Sequence, residues 1–180
     1  MITDKNRSGW FGASDVSYIM GNWTTQSFKN WWLEKLDLRK NSFESKAMRT
    51  GTYFEHKILD KIPGVEKDRQ VLLPEYRLRI NLDGNTENTI YEVKTTGKDN
   101  FKPSKSNIGQ VNIQMFGTGI RKAFIVSYCL MPEDYRNYFA EIDEDRMAFH
   151  AIEYDEEFIE KFLERITKLK ECMGNGVMPK

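Results

Sequence analysis

Apolar and polar residues along this chain alternate with two different periods. Apolar positions recur at helical spacing in 14–20, 27–36, 43–62 and 106–118, and again after Asp155, where Phe158, Ile159, Phe162, Ile166 and Leu169 share one face. Strand-like alternation or short apolar runs occupy 68–73, 76–82, 89–95, 123–130 and 147–154. This order of helices and strands predicts an α/β fold with a small mixed central sheet flanked by helices.

The segments 76–82 and 89–95 are predicted to pair as a hairpin, and they carry the most informative charges. Asp83 follows the first strand, and Glu92 and Lys94 stand at i and i+2 on the second, so their side chains leave the same face. Two carboxylates beside an ammonium group are typical of a hard-cation site next to a proton-handling amine. A solvated strand face with alternating charges would give the same triplet.

Two helices add polar side chains to this set. Glu55 lies beside the apolar stripe of the 43–62 helix, where a carboxylate needs a partner or a cation, and His56 or Lys57 could pair with it. Gly51 costs helix stability one turn before Glu55, which indicates close approach of another backbone or a ligand. Gln110 is followed by Gln114 at i+4 on the same face of the later helix.

Length and composition limit the classes of protein that this chain can be. At 180 residues it fits one domain, residues 1–180, with a substantial core. No apolar run reaches the length of a membrane span and residues 1–5 are polar, which predicts a cytoplasmic protein without a membrane segment. Cys129 and Cys172 lack metal-ligand spacing and are expected to be free thiols.

The net charge is zero, with 27 basic and 27 acidic residues, but the charges are unevenly distributed. Residues 94–122 carry six basic side chains against one acid, whereas residues 131–164 carry twelve acids against three bases. Phosphate binding depends on local rather than net charge, so the basic segment could hold DNA. A solvated basic loop would show the same pattern.

Five short motifs, taken in order, resemble the lambda exonuclease family, the YqaJ-like phage recombination exonucleases of the PD-(D/E)XK nuclease superfamily. The motifs are Arg7 followed seven residues later by Ser14, Gly51 to Glu55, Leu82-Asp83-Gly84, Tyr91-Glu92-Val93-Lys94, and Gly109 to Met115. The sequence departs from the family pattern at two positions. Asn81 stands where a small hydroxyl residue completes a phosphate pocket, and Leu82 replaces the usual proline.

The resemblance implies a restriction-endonuclease-like core and a single metal-dependent DNA nuclease domain. Asp83 and Glu92 would ligate Mg²⁺ with help from Glu55, and Mn²⁺ would substitute. Lys94 would position or deprotonate the attacking water, and Gln110 would help to order the site.

The resemblance also implies the substrate and the partners. Arg7 and Ser14 would receive a DNA 5′-phosphate. The expected activity is 5′–3′ exonuclease action from double-stranded DNA ends in recombination, within the cytoplasm of a phage-infected or prophage-carrying bacterial cell. Further partners implied in this way are a single-strand annealing protein and a second copy of the chain.

Three other functions are compatible with the sequence. An endonuclease of the same superfamily would use the same site on internal bonds. A catalytically idle DNA-binding module would keep the fold but would be expected to lack one of the site acids or the lysine, and Asp83, Glu92 and Lys94 are all present in this sequence. A partner-binding protein would expose the aromatic cluster Trp23, Phe28, Trp31 and Trp32.

Overall fold

The computed structural model describes residues 8–40 and 45–180. Its helices are α1 (Val16–Ile19), α2 (Gln26–Lys35), α3 (Lys46–Leu59), α4 (Lys105–Thr118) and α5 (Glu156–Gly174). Its strands are β1 (Glu66–Lys67), β2 (Gln70–Leu73), β3 (Leu78–Asn81), β4 (Gly84–Asn85), β5 (Ile90–Thr96), β6 (Ala123–Cys129) and β7 (Met147–Ile152). The predicted α/β fold with a mixed central sheet is confirmed.

The central sheet has the strand order β1-β4-β5-β6-β7. Strands β5 and β6 are parallel because α4 crosses over between them, and the other neighbours are antiparallel. The expected hairpin differs from the observed pairing. The first strand of the predicted hairpin, 76–82, corresponds to β3, which pairs with β2 in a separate two-stranded sheet. The short β4 pairs with β5 in its place. Asp83 therefore occupies the junction between the two sheets.

Local sequence determines where the helices begin and end. Ser45 caps α3, Ser104 caps α4 and Asp155 caps α5, each by accepting a backbone N–H three residues later. Helix α4 ends at Thr118, and its C-cap Gly119 has a φ of 77°, in the left-handed region that favours glycine. These caps fix the residue at which each of the three helices begins.

Two hydrophobic cores lie on opposite faces of the sheet. The larger packs α1, α2, α4 and α5 against one face and contains the aromatic cluster, with Phe28 at 1%, Trp31 at 5% and Trp32 at 0% exposure. The smaller packs α3 through Phe54 and Ile58 against Val93 and Val126 on the other face. The aromatic cluster is therefore core, and it does not form the exposed partner-binding patch.

None of the helices in the described ranges combines the length and the apolar character needed to cross a membrane.

Candidate active site

Strand β5 places alternate side chains on the two faces of the sheet. Val93 packs into the α3 core, whereas Glu92 and Lys94 reach the α4 face, where Gln110 and Gln114 meet them. The prediction that Glu92 and Lys94 share a face is confirmed. Because the sheet is covered on both sides at this point, Glu92 is only 2% exposed.

Four hydrogen bonds join Glu92, Lys94 and the two glutamines of α4. Lys94 Nζ donates to Glu92 Oε1 at 2.7 Å and to Gln110 Oε1 at 3.1 Å. Gln110 Nε2 donates to the same Glu92 oxygen at 2.6 Å, and Gln114 Nε2 donates to Glu92 Oε2 at 2.6 Å. Both oxygens of a buried carboxylate are thus satisfied, which offsets the cost of removing it from water.

Asp83 reaches the same site from the junction between β3 and β4. Its Oδ2 accepts the backbone N–H of Val93 at 2.8 Å, so the carboxyl lies against β5 between the positions of Glu92 and Lys94. Gly84, directly after it, allows this approach, because a Cβ at that residue would lie 2.7 Å from side-chain atoms of both Leu59 and Val65. Asp83 therefore reaches Glu92 and Lys94 from the junction between the two sheets and not from a simple hairpin.

Glu55 comes from the opposite face, on α3. Helix α3 packs closely on β5 at Gly51, where a Cβ would lie 2.8 Å from Thr95 Oγ1, in agreement with the close approach predicted for this glycine. One turn later, Glu55 is near enough to Glu92 and Lys94 to interact with both charges. The structure therefore brings Glu55, Asp83, Glu92, Lys94 and Gln110 together.

The three carboxylates repel one another in a poorly hydrated site. Burial raises the pKa of Asp83 well above its usual range, and repulsion from Glu92 and Glu55 adds to this shift. Burial and repulsion from Glu92 also raise the pKa of Glu55. Burial alone would lower the pKa of Lys94, but attraction to Glu92 and the hydrogen bond with it, together with attraction to Asp83 and Glu55, outweigh burial and leave that pKa raised. The lysine is therefore held in its ammonium form.

The donor set fits a hard divalent cation. Asp83, Glu92 and Glu55 offer only oxygen ligands, which suit Mg²⁺ or Mn²⁺, and a cation would relieve the repulsion that raises the carboxyl pKa values. Among the described residues, the group whose donor atoms all lie within 4.8 Å of one another is Glu55, His56 and Asp68, so Glu55 is common to both sets of potential ligands. His56 Nε2 is 3.0 Å from Asp68 Oδ2.

Of the two local partners suggested for Glu55 by its sequence neighbours, His56 is observed beside it and Lys57 is not. Donor atoms of Glu55 and His56 lie within 4.8 Å of each other. Burial and repulsion from Glu92 leave the pKa of Glu55 raised, and attraction to His56 opposes them. His56 Nε2 also pairs with Asp68, whereas Lys57 Nζ donates to the carbonyl oxygens of Tyr138 and Ala140. Glu55 therefore interacts both with His56 on its own helix and with the charges on β5.

A pocket of about 110 Å³ opens beside Asp83 and Gln110. Ser14, predicted to bind phosphate, lines it together with Asn81, whereas Arg7 lies outside the described residues. Lys35 and Arg79, two cations outside the set of site residues predicted from the sequence motifs, also line it.

Lys35 and Arg79 are both largely buried, with 5% and 8% exposure. Lys35 Nζ is 2.6 Å from Asp15 Oδ2 and donates to the Trp10 carbonyl oxygen at 2.9 Å. The alternation of β3 contained a signal for Arg79, because residues 79, 81 and 83 are spaced by two. The sequence around Lys35 contains no comparable pattern, because Lys35 lies at the pocket only through the packing of its helix.

Comparison with known proteins identifies similarity at the level of structure. No protein-family model and no curated protein matches the sequence. The crystal structure of LHK-Exo in complex with dAMP matches with a TM-score of 0.75 and 22% identity, over 94% of this chain and 90% of that one. A second structure of LHK-Exo, an alkaline exonuclease from Laribacter hongkongensis, gives a TM-score of 0.74 at 22% identity over the same shares of the two chains.

A phage-related exonuclease from Haemophilus somnus 129PT matches with a TM-score of 0.66 and 16% identity, over 92% of this chain and 94% of that one. Each of these solved structures is matched over nearly its whole length. The fold is therefore the one that the five sequence motifs predict, and it is shared with structures described as exonucleases.

Proposed function

We propose that this protein is a metal-dependent DNA nuclease of the lambda exonuclease family, with residues 1–180 forming one nuclease domain. The observation that carries the proposal is the convergence of Asp83, from the junction between β3 and β4, with Glu92 and Lys94 on β5. Glu55 joins them from one face and Gln110 from the other. The similarity in fold to solved exonucleases supports the same conclusion.

Asp83 and Glu92 would hold the cation, with Glu55 in reach directly or through water. A bound divalent cation polarises phosphate oxygens and lowers the pKa of a coordinated water, the chemistry that phosphodiester hydrolysis requires. The chain must hold the three carboxylates rigidly close together, so that a bound cation would keep them ionised. The closed packing of α3 at Gly51 and of Gly84 against Leu59 and Val65 supplies this rigidity.

Lys94 would act as a fixed positive charge at the scissile phosphate. Its raised pKa favours the ammonium form, which can donate a hydrogen bond to a phosphate oxygen and offset developing negative charge. The same form cannot accept a proton, so its charge supports positioning of the water more than deprotonation of it. Gln110 fixes the direction of the ammonium group by accepting from it at 3.1 Å.

The pocket beside Asp83 would receive the 5′-phosphate of a DNA end. Ser14 supplies a hydroxyl and Arg79 supplies positive charge, whereas the charge of Lys35 is already paired with Asp15. Asn81 replaces the family's hydroxyl residue, and its amide is oriented, because Gln70 Nε2 donates to Asn81 Oδ1 at 3.0 Å. The Asn81 NH₂ group is then the donor left for a phosphate. Arg7, as the resemblance implies, would complete this pocket.

These features favour an exonuclease that acts 5′–3′ on double-stranded ends in phage-type recombination, with Mg²⁺ as cofactor and Mn²⁺ as substitute. A pocket for a terminal phosphate next to the hydrolytic centre selects an end over an internal bond. An endonuclease of the same superfamily is the second candidate, because the Asp83–Glu92–Lys94 site could also act on internal bonds.

Digestion of three DNA substrates tests the proposal. Linear duplexes with a 5′-phosphate or a 5′-hydroxyl end and a closed circular duplex are incubated with Mg²⁺, with Mn²⁺ and with EDTA. We expect cleavage of linear DNA with either metal, faster with the 5′-phosphate, and none in EDTA. Asp83→Asn should abolish the activity, whereas Glu87→Gln, which removes an exposed acid from the β4–β5 turn, should leave it unchanged.

Each of the other results has a definite meaning. Cleavage of the circular substrate at a rate comparable to that of linear DNA would show that the protein is an endonuclease and not an exonuclease. Metal-dependent cleavage that survives Asp83→Asn would remove Asp83 from the site. If none of the substrates is cut with either metal, the nuclease proposal is wrong.

A further inference from the structure

The Glu92 carboxylate is held unequally at its two oxygens. Oε1 accepts from Lys94 Nζ at 2.7 Å and from Gln110 Nε2 at 2.6 Å, whereas Oε2 accepts from Gln114 Nε2 at 2.6 Å. A carboxylate oxygen has two lone pairs. Oε1 therefore has its full complement of hydrogen bonds, and Oε2 keeps one lone pair for a further partner.

Gln114 occupies a position that is unusual for a side chain of its type. It is fully buried on α4, and besides Glu92 its Nε2 donates to the carbonyl oxygen of Asn81 at 3.3 Å. A single amide group thus contacts both Glu92 and the chain two residues before Asp83. It links the two segments that carry the predicted metal ligands.

The amide orientation of Gln114 is fixed by Glu92. Within the described residues, Gln114 Oε1 is buried without a hydrogen-bond partner, an arrangement that costs stability. Turning the amide over would place that oxygen against the Glu92 carboxylate, where two acceptors repel each other. The fold therefore retains an unsatisfied oxygen in order to direct an N–H group at Glu92.

We propose that Gln114 is a positioning residue for the metal site. It holds the plane of the Glu92 carboxylate and leaves one lone pair of Oε2 available to a divalent cation. Without it, Lys94 and Gln110 hold only Oε1, and rotation about the soft terminal torsion of glutamate would swing Oε2 out of place. The inference rests on the proposed function, because it takes Glu92 as a metal ligand.

Binding of Mn²⁺ measured by electron paramagnetic resonance tests this role without relying on activity. Gln114→Met keeps the length and packing of the side chain but removes the donor. We expect its Mn²⁺ affinity to fall by about 10–100-fold, the effect typical of removing an outer hydrogen bond to a metal ligand. Cleavage should recover at high Mn²⁺ concentration, which a misfolded protein would not show.

Asn112→Leu is the matched control, since Asn112 is another buried amide on α4. It accepts the backbone N–H of Asp155 at 2.7 Å and donates to the Glu153 carbonyl oxygen at 3.2 Å, away from Glu92. We expect a lower melting temperature with unchanged Mn²⁺ affinity. If Gln114→Met fails to fold, Gln114→Asn, which retracts the donor by one methylene, should show the same loss of affinity.

The outcomes separate the two proposals. Equal Mn²⁺ affinity of the wild type and the folded Gln114 variants would overturn the positioning role and leave the proposed function intact. An equal loss of affinity in Asn112→Leu would overturn it too, because the effect would then be one of general stability. A wild-type protein that binds no Mn²⁺ would overturn the proposed function and the positioning role together.

Discussion

Replacement of Lys94 by methionine separates the charge of this residue from its packing. Lys94 and Glu92 form a pair whose side chains are 26% and 3% exposed, with 2.7 Å between Nζ and Oε1. Methionine has a similar length and no charge. In the metal-free variant the Glu92 carboxylate would remain buried beside Asp83 and Glu55 without a neutralising cation.

The expected loss of stability follows from that geometry. Removing one partner of a fully buried ion pair costs roughly 3–5 kcal/mol, because the remaining charge is left uncompensated. Glu92 keeps its two glutamine donors and Lys94 is partly exposed, so we expect about 2–3 kcal/mol for Lys94→Met. For a chain of this length that corresponds to a decrease in melting temperature of roughly 5–10 °C.

A divalent cation should restore the stability of Lys94→Met but not its activity. Mg²⁺ restores positive charge next to Glu92, so added Mg²⁺ should raise the melting temperature of Lys94→Met at least as much as that of the wild type. Cleavage of linear DNA should still be lower by about 10²–10⁴-fold, because the positioned ammonium group is absent.

Thermal unfolding with and without Mg²⁺, followed by digestion of 5′-phosphorylated linear DNA, measures both effects. Lys29→Met, which removes an exposed lysine on α2 outside the basic segment 94–122, serves as the control and should change neither readout. Wild-type cleavage by Lys94→Met would refute the assignment of Lys94. A variant that Mg²⁺ no longer stabilises would refute the placement of the cation beside Glu92.

Three further predictions follow from the same site. Gly51→Ala should lose about 1 kcal/mol of unfolding free energy and most of the cleavage activity, because its Cβ would lie 2.8 Å from Thr95 Oγ1 and displace Glu55. Adding Thr95→Ala should restore the stability, measured by denaturant titration, and the cleavage, measured by digestion. Unchanged stability of Gly51→Ala would contradict the close packing. Burial and carboxylate repulsion raise the pKa values of Asp83 and Glu55, so the folded protein retains protons that the unfolded chain releases. The metal-free protein should therefore lose stability as the pH rises from about 4, the ordinary carboxyl pKa, through the raised values, and melting curves should show a weaker pH dependence for Asp83→Asn. Ser14→Ala removes an exposed hydroxyl at the pocket. In competitive digestion, it should reduce the preference for 5′-phosphorylated over 5′-hydroxyl ends by about 1 kcal/mol, or roughly fivefold. An unchanged ratio of the two cleavage rates would exclude Ser14 from phosphate binding.

Spacing by itself determined which of the charged residues could act together within one element. The i and i+2 positions of Glu92 and Lys94 place both side chains on one face of a strand in any fold that keeps that strand. In the same way, the i and i+4 positions of Gln110 and Gln114 place both amides on one helix face. Caps and glycines likewise defined the ends of the helices, because these signals are local.

Only the tertiary structure decided which elements meet. The pairing of β3 with its preceding neighbour β2, in place of β5, moved Asp83 to a sheet junction, because the alternation of a strand does not say which of two neighbouring strands it pairs with. Lys35 reached the pocket through the packing of α2 near Trp10, and Gln114 reached Glu92 through the packing of α4 on the sheet. Periodicity gives the direction of a side chain from its own backbone, whereas the partner it meets depends on how separate elements bury their apolar faces against one another.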